Sequence, residues 1–145
     1  MSDTRTILKR LRINNMIQYF SAREILLIHS LIIDKTGGSH GVRDRNILLS
    51  LVDAPKQKVF GKELYPTLHL KAAVYTRNVI FFHPFVDGNK RTAMTLAGVF
   101  LENNGYIFKA EKGEIEHFAL QIIKEKLEVE TIAEWFDKHC IKTNT

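Results

Sequence analysis

Apolar residues recur at helical spacing along most of the chain. Ser21-Ala22-Arg23-Glu24 is a capping box, and the helix it opens carries Ile25, Ile28, His29, Ile32 and Ile33 on one stripe to about Lys35. Gly37-Gly38-Ser39-His40-Gly41 then breaks the pattern. Asp44 can cap a short helix through about Val52, with Ile47, Leu48 and Leu51 facing inward and Pro55 ending it. Thr67 opens a helix to about Phe82, and another runs from Asn89 to about Asn104. Both are apolar on most sides, which places them at the centre of the molecule. Asn103-Asn104-Gly105 stops the second, and Tyr106-Ile107-Phe108 reads as extended. Helices follow at about Glu114–Lys126 and Val129–Lys138, and Ile7, Leu8 and Leu11 suggest a short one near the start. The pattern predicts an all-α fold, a compact bundle of six to seven helices.

Two segments escape the helical period. Residues 55–66, PKQKVFGKELYP, have Pro at both ends and read as an extended connector or small hairpin. Val59-Phe60 is an apolar pair in this polar stretch, which gives the segment a second reading as a partner-docking flap. The other segment joins the two central helices: His83-Pro84-Phe85-Val86-Asp87-Gly88-Asn89-Lys90-Arg91. Pro84 stops the first helix, Phe85 and Val86 are expected to turn inward, and His83 and Asp87 to stay on the polar side.

Those polar residues suit phosphate chemistry. A helix N-terminus offers free N–H groups and a positive dipole end, and Asn89 starts a helix. Neutral His83 can accept a proton, and Asp87 can hold Mg²⁺ beside phosphate oxygens. Gly88 lets backbone approach a ligand, while Lys90 and Arg91 bring two positive charges. A Walker loop is excluded because Asn follows Gly88, and His83 with Asp87 is too thin for zinc. His29, on the edge of an apolar stripe, reads as a satisfied core histidine rather than a ligand.

Composition adds bounds. The chain has 145 residues, 45% hydrophobic and 26% charged, which fits one ordinary globular domain. No strongly apolar run, Val79 to Phe82 among them, exceeds four residues, which is too short for a bilayer, and no apolar signal core follows Met1. The lone Cys140 excludes an internal disulfide and fits a reducing compartment, so the cytoplasm is expected. A net charge of +5 tilts toward anionic partners, although Arg5, Lys9, Arg10 and Arg12 supply much of it.

HPFVDGNKRTA resembles the signature H-P-F-x-[DE]-G-N-[GK]-R of the Fic/Doc superfamily, or Fido domains, and the GNKRT ending looks most like its death-on-curing (Doc) branch. Gly37-Gly38 through Arg43-Asp44 resembles that branch's GG…G-[LV]-R-D segment. Tyr65-Pro66, Phe100-Leu101-Glu102-Asn103-Asn104-Gly105 and Ala133-Glu134-Trp135 also look like the family. The resemblance divides the chain into a basic lead-in (1–17), a Fido domain (18–140) and a frayed tail (141–145). It implies an enzyme that moves part of a nucleoside triphosphate, such as ATP, onto a protein hydroxyl. His83 would be the general base, Asp87 the Mg²⁺ ligand, Gly88 and Asn89 the anion hole, and Lys90 and Arg91 the phosphate ligands. Residues 55–66 would be the target-docking flap, with Val59, Phe60 and Gly61 at its centre, which reverses the plainer reading as a connector. The branch implies a toxin that phosphorylates a Ser or Thr of a target such as the translation factor EF-Tu. It also implies a partner antitoxin whose disordered tail inhibits it.

The chain departs from the pattern at several points. Met94 replaces the second arginine of Fic chains, as in Doc-like ones. Phe81 stands where many Doc-like chains carry Arg, with Arg77 one turn earlier as a substitute, and Thr95 replaces an Asn. A self-inhibitory [ST]-x-x-x-E-[GN] helix is missing, since Gly98 lies four before Glu102, so inhibition falls to another chain. Lys90 fills the space that a Gly leaves for the α-phosphate in Fic adenylyltransferases, which favours phosphorylation. Adenylylation is the alternative, and a non-enzymatic module binding nucleic acid or a partner through the basic arm is the second.

Overall fold

The computed structural model describes residues 16–143, so the basic arm and the short helix expected near Ile7 lie outside the described residues. Local caps set the helix starts. Ser21 Oγ accepts the Glu24 N–H at 3.1 Å and Glu24 Oε1 accepts the Ser21 N–H at 2.8 Å, which opens α1 (Ala22–Thr36). Asp44 Oδ1 accepts from Asn46 and Ile47 to open α2 (Arg45–Asp53), and a short 3₁₀ turn at Ala54–Lys56 follows. β1 (Lys58–Val59) and β2 (Lys62–Glu63) form an antiparallel hairpin between α2 and the centre.

Thr67 caps α3 (Leu68–Phe82), which packs most extensively against α4 (Asn89–Asn103). Ala72, Ala73 and Val79 of α3 and Ala93, Leu96 and Ala97 of α4 are wholly inaccessible, and the small residues let the two backbones approach. Phe20, Tyr75 and Phe100 close one end with rings 5.3–6.4 Å apart. After α4 come β3 (Tyr106–Phe108), α5 (Lys112–Glu125), α6 (Val129–Lys138) and β4 (Cys140–Lys142). α6 lies along α3, and Trp135 stacks on Phe118 at 4.2 Å to bring α5 in. The all-α reading holds: six α-helices surround one core, with one small hairpin (β1–β2) and one small two-stranded antiparallel sheet (β3–β4) among the described residues. No described helix is long and apolar enough to cross a membrane.

The tail differs from expectation. Residues 141 and 142 do not fray; they pair with β3 in the register Tyr106↔Lys142 and Ile107↔Ile141. Thr143 adds a bond from its N–H to the Gly105 carbonyl at 2.8 Å. The unpaired edge of β3 supplies the partner, a long-range cause that the polar tail sequence does not carry.

His69 lies in the first turn of α3, edge-on to Tyr106 at 4.7 Å. Its Nε2 is buried with no hydrogen-bond partner and sits 3.6 Å from the Asp137 carboxylate. Burial lowers its pKa from the ordinary 6.5, with Asp137 opposing weakly. The folded protein therefore binds fewer protons than the unfolded chain below about 6.5. Stability should be full above that value and fall as the pH drops through the lowered one. His69→Phe keeps the aromatic contact and should flatten this loss in thermal unfolding between about pH 7.5 and about pH 5.5. Some slope should remain, because burial lowers His29 as well.

Candidate active site

The loop between α3 and α4 begins with a reversal. His83 caps α3 in the left-handed conformation, φ 51° and ψ 64°, an uncommon one for a residue with a Cβ. Gly88 precedes α4 with φ 74°. The Asn89 side chain ties the two turns together: Oδ1 accepts the Phe85 N–H at 3.1 Å and Nδ2 donates to the Phe85 carbonyl at 2.9 Å. Phe85 is fully buried, as expected, but Val86 points outward at 57% exposure. The correction has a simple cause: Phe85 forms an isolated bridge with Val42, and neighbours in extended backbone face opposite ways.

That bridge belongs to a clamp made by residues 41–44. The Arg43 and Asp44 N–H groups donate to the Pro84 carbonyl at 2.7 and 3.1 Å, and Val86 N–H donates to Gly41 O at 3.0 Å. The Arg43 guanidinium donates from Nε to His83 O and from Nη2 to Phe82 O, both at 2.6 Å. These are carbonyls at the end of α3, where a cation satisfies orphan acceptors and opposes the negative dipole end.

Asp87 is held by two amides. Its Oδ2 accepts the Ser39 N–H at 3.1 Å and its Oδ1 accepts the Gly88 N–H at 2.8 Å. These bonds, Ser39's first, lower its pKa below the ordinary carboxylate value, and Arg91 adds to the effect. Asp87 is thus ionised at neutral pH. Gly38 makes the approach possible, since a Cβ there would lie 2.6 Å from Asp87 Oδ2. His29 holds the same residue from behind. Its Nε2–H donates to the Asp87 carbonyl at 2.8 Å, and its ring stacks on Phe85 at 3.8 Å and 4°. It is the satisfied core histidine expected, but the partner that satisfies it is the candidate metal ligand.

The start of α4 is bare. Gly88 has no side chain to cap it, and among the described residues no side chain caps the N–H groups of Asn89, Lys90 and Arg91. Gly88's own N–H is committed to Asp87, and the Asn89 side chain to Phe85. Lys90 is exposed. Arg91 is half-exposed; its Nη1 donates to Thr36 Oγ1 and, at 3.0 Å, to Gly37 O, while Nη2 lies 4.0 Å from Asp87 Oδ1. The exposed His83 ring has no hydrogen-bond partner among the described residues.

One loop and helix start therefore bring together His83, Asp87, Gly88, Asn89, Lys90 and Arg91. Val59, Phe60 and Gly61 sit in another element, the β1–β2 hairpin, with Phe60 fully exposed and at φ 51°. Its tip makes no hydrogen bond to the loop among the described residues. Of the departures, Met94 is buried, Phe81 packs against the core, and Arg77 directs its Nε to Asn78 Oδ1 at 3.1 Å. Sequence reasoning missed the positioning roles of His29, Gly38 and Arg43. The last two lie in the segment whose likeness to the Doc branch was visible, and their contacts now supply its physical reason.

The model of the Fic/DOC family matches residues 19–101, from the lead into α1 through most of α4. The chain belongs to the Fic/DOC family. A protein of Mycolicibacterium smegmatis named Toxin Doc is 36% identical over 96 residues, 66% of this chain and 72% of that protein. Protein kinase doc of Escherichia phage P1 is 28% identical over 88 residues, 61% of this chain and 69% of that protein. The Fic/DOC match spans every residue of the site and the hairpin. It ends before β3, α5, α6 and β4.

Two substitutions probe how the loop is held. His29→Phe keeps a ring against Phe85 but leaves the Asp87 carbonyl without its donor, and should cost about 1–3 kcal/mol in urea unfolding. Gly38→Ala places a methyl group against the carboxylate at a backbone φ of +111°. It should destabilise by about 1–3 kcal/mol and speed hydrogen exchange at the Ser39 and Gly88 amides. Unchanged exchange there would mean that Asp87 is held by something else.

Proposed function

We propose that this chain is a Doc-like toxin of a toxin–antitoxin pair. It transfers the γ-phosphate of a nucleoside triphosphate such as ATP to a Ser or Thr hydroxyl of a target protein, with a translation factor such as EF-Tu as a candidate. The observation that carries the reading is the bare N-terminus of α4, flanked by ionised Asp87 and by the unpartnered, exposed ring of His83.

Each group has a role in that transfer. Neutral His83 takes the proton as the acceptor oxygen attacks the γ-phosphorus and the bond to the bridging oxygen breaks, leaving the nucleoside diphosphate. The N–H groups of Asn89, Lys90 and Arg91, the Lys90 ammonium and the free donors of Arg91 would hold the phosphate oxygens. Asp87 fits Mg²⁺: each of its oxygens accepts one amide and keeps a lone pair, and Mg²⁺ takes few protein ligands when phosphates are present. Bound there, Mg²⁺ would neutralise phosphate charge during transfer. Gly88 contributes its left-handed turn rather than its N–H.

Phosphorylation is preferred to adenylylation because Lys90 adds bulk and charge where adenylyl transfer needs room, and because the phage P1 relative is named a protein kinase. The target would lie along the hairpin as an added strand, with Val59, Phe60 and Gly61 as its docking edge. The name of the mycobacterial relative supports an antitoxin as partner, inhibiting through a disordered tail that folds on this chain.

The test is transfer from Mg-ATP labelled at either the α- or the γ-phosphate, in a bacterial lysate. The γ label should appear on a protein; the α label would move the assignment to adenylylation. His83→Ala should lower transfer by at least about 100-fold. Asp87→Ala should do likewise in the presence of Mg²⁺, and Lys90→Gly should weaken γ transfer. If His83→Ala and Asp87→Ala both keep full growth inhibition, the toxicity is not catalytic.

A further inference from the structure

Lys71 is a lysine with no accessible surface, placed on α3 among the alanines and valines of the core. Its Nζ has two polar partners among the described residues: the Pro55 carbonyl at 3.1 Å and Glu63 Oε1 at 2.8 Å. The Tyr19 ring lies 5.7 Å from the same nitrogen. Pro55 precedes β1 and Glu63 lies in β2, so one buried ammonium joins the two ends of the hairpin.

The energetics make this placement informative. A buried ammonium is costly unless it is paired and hydrogen-bonded, and an apolar side chain of similar volume would fill the site without that cost. Among the described residues, no other side-chain hydrogen bond or ion pair ties the two strands to the helices. Each strand has two residues, all four exposed; the Leu64 N–H to Gln57 O bond at 2.9 Å closes the hairpin on itself, and just outside the strands Lys56 lies over the Tyr19 ring and Tyr65 packs against the core. An isolated hairpin of this size does not persist in water. The Glu63 carboxyl is held below its ordinary pKa first by its hydrogen bond to Lys71, so Glu63 is ionised at neutral pH.

We infer that Lys71 is a positioning residue for target docking: its buried ion pair with Glu63 holds the hairpin as a preformed edge on which the target strand adds. This rests on the hairpin being the docking surface. A preformed edge spares the target the entropy of ordering it, so loss of the tether should weaken engagement of the protein substrate and leave chemistry on a bound one intact.

The test compares the full chain with Lys71→Met and Glu63→Gln. Hydrogen exchange at the Leu64 amide and tryptic cleavage after Lys58 and Lys62 report the hairpin directly. Both should rise by about tenfold or more in each variant, with thermal unfolding still cooperative. With the protein target identified by γ-label transfer, KM for that target should rise about tenfold while kcat changes less than about twofold. Glu63→Gln alters the accessible end of the pair and decides the matter if Lys71→Met does not fold. Wild-type exchange and cleavage in a folded variant would overturn the tether. A loosened hairpin with unchanged KM would overturn its docking role. If the wild-type chain transfers no label, the proposed function fails and the docking role with it, while the exchange and cleavage data still decide the tether.

Discussion

The grip of Arg43 on the Phe82 and His83 carbonyls, 2.6 Å each, is the constraint from which the loop hangs. Helix α3 ends there with acceptors that nothing in the helix can satisfy. His83 leaves it in a left-handed turn that costs roughly 1–2 kcal/mol for a residue with a Cβ. Arg43 and the backbone of residues 41–44 offset that cost by bonding Phe82, His83, Pro84 and Val86. Once Pro84 is fixed, Phe85 falls into the core, where His29 stacks on it. His29 then fixes the Asp87 carbonyl and Ser39 fixes its carboxylate. The chain of contacts runs from a helix end to the candidate metal ligand without a gap.

The same economy shapes the charges. Several groups that look like ligand donors are engaged in building the loop: the Asn89 amide on Phe85, the Gly88 N–H on Asp87, one arm of Arg91 on the end of α1. What remains for an anion is the dipole end of α4, its first N–H groups, exposed Lys90 and the uncommitted donors of Arg91. An ionised carboxylate stands beside this positive end, and two amides hold it in that state. A site of this kind is arranged before any ligand arrives, and preorganised dipoles need no reorganisation when an anion binds.

Much of the frame was legible because its causes are local. The capping box at Ser21, the caps at Asp44 and Thr67, and the stop at Asn104 act over one helical turn, and each lies where the residues placed it. The two central helices were legible because a helix apolar on most sides has nowhere else to go. The inward reading of Val86 failed because a bridge to Val42, far away in the chain, sets which of Phe85 and Val86 faces the core. The fraying of residues 141 and 142 failed for the same kind of reason, a strand partner at β3 that no neighbour in sequence announces.

The sequence by itself determined the all-α frame, the break at Pro84, the bare helix start after Gly88 and the signature from His83 to Arg91. Each follows from a residue's own backbone preference or from the spacing of residues within one element. Only the tertiary structure decided which polar groups are left over. Whether Asn89, Arg91 or Lys71 faces a ligand or serves the fold depends on carbonyls and carboxylates brought near by packing, and that proximity is a property of the folded chain. It separates His83, exposed and unpartnered, from His29, buried against the carbonyl of Asp87.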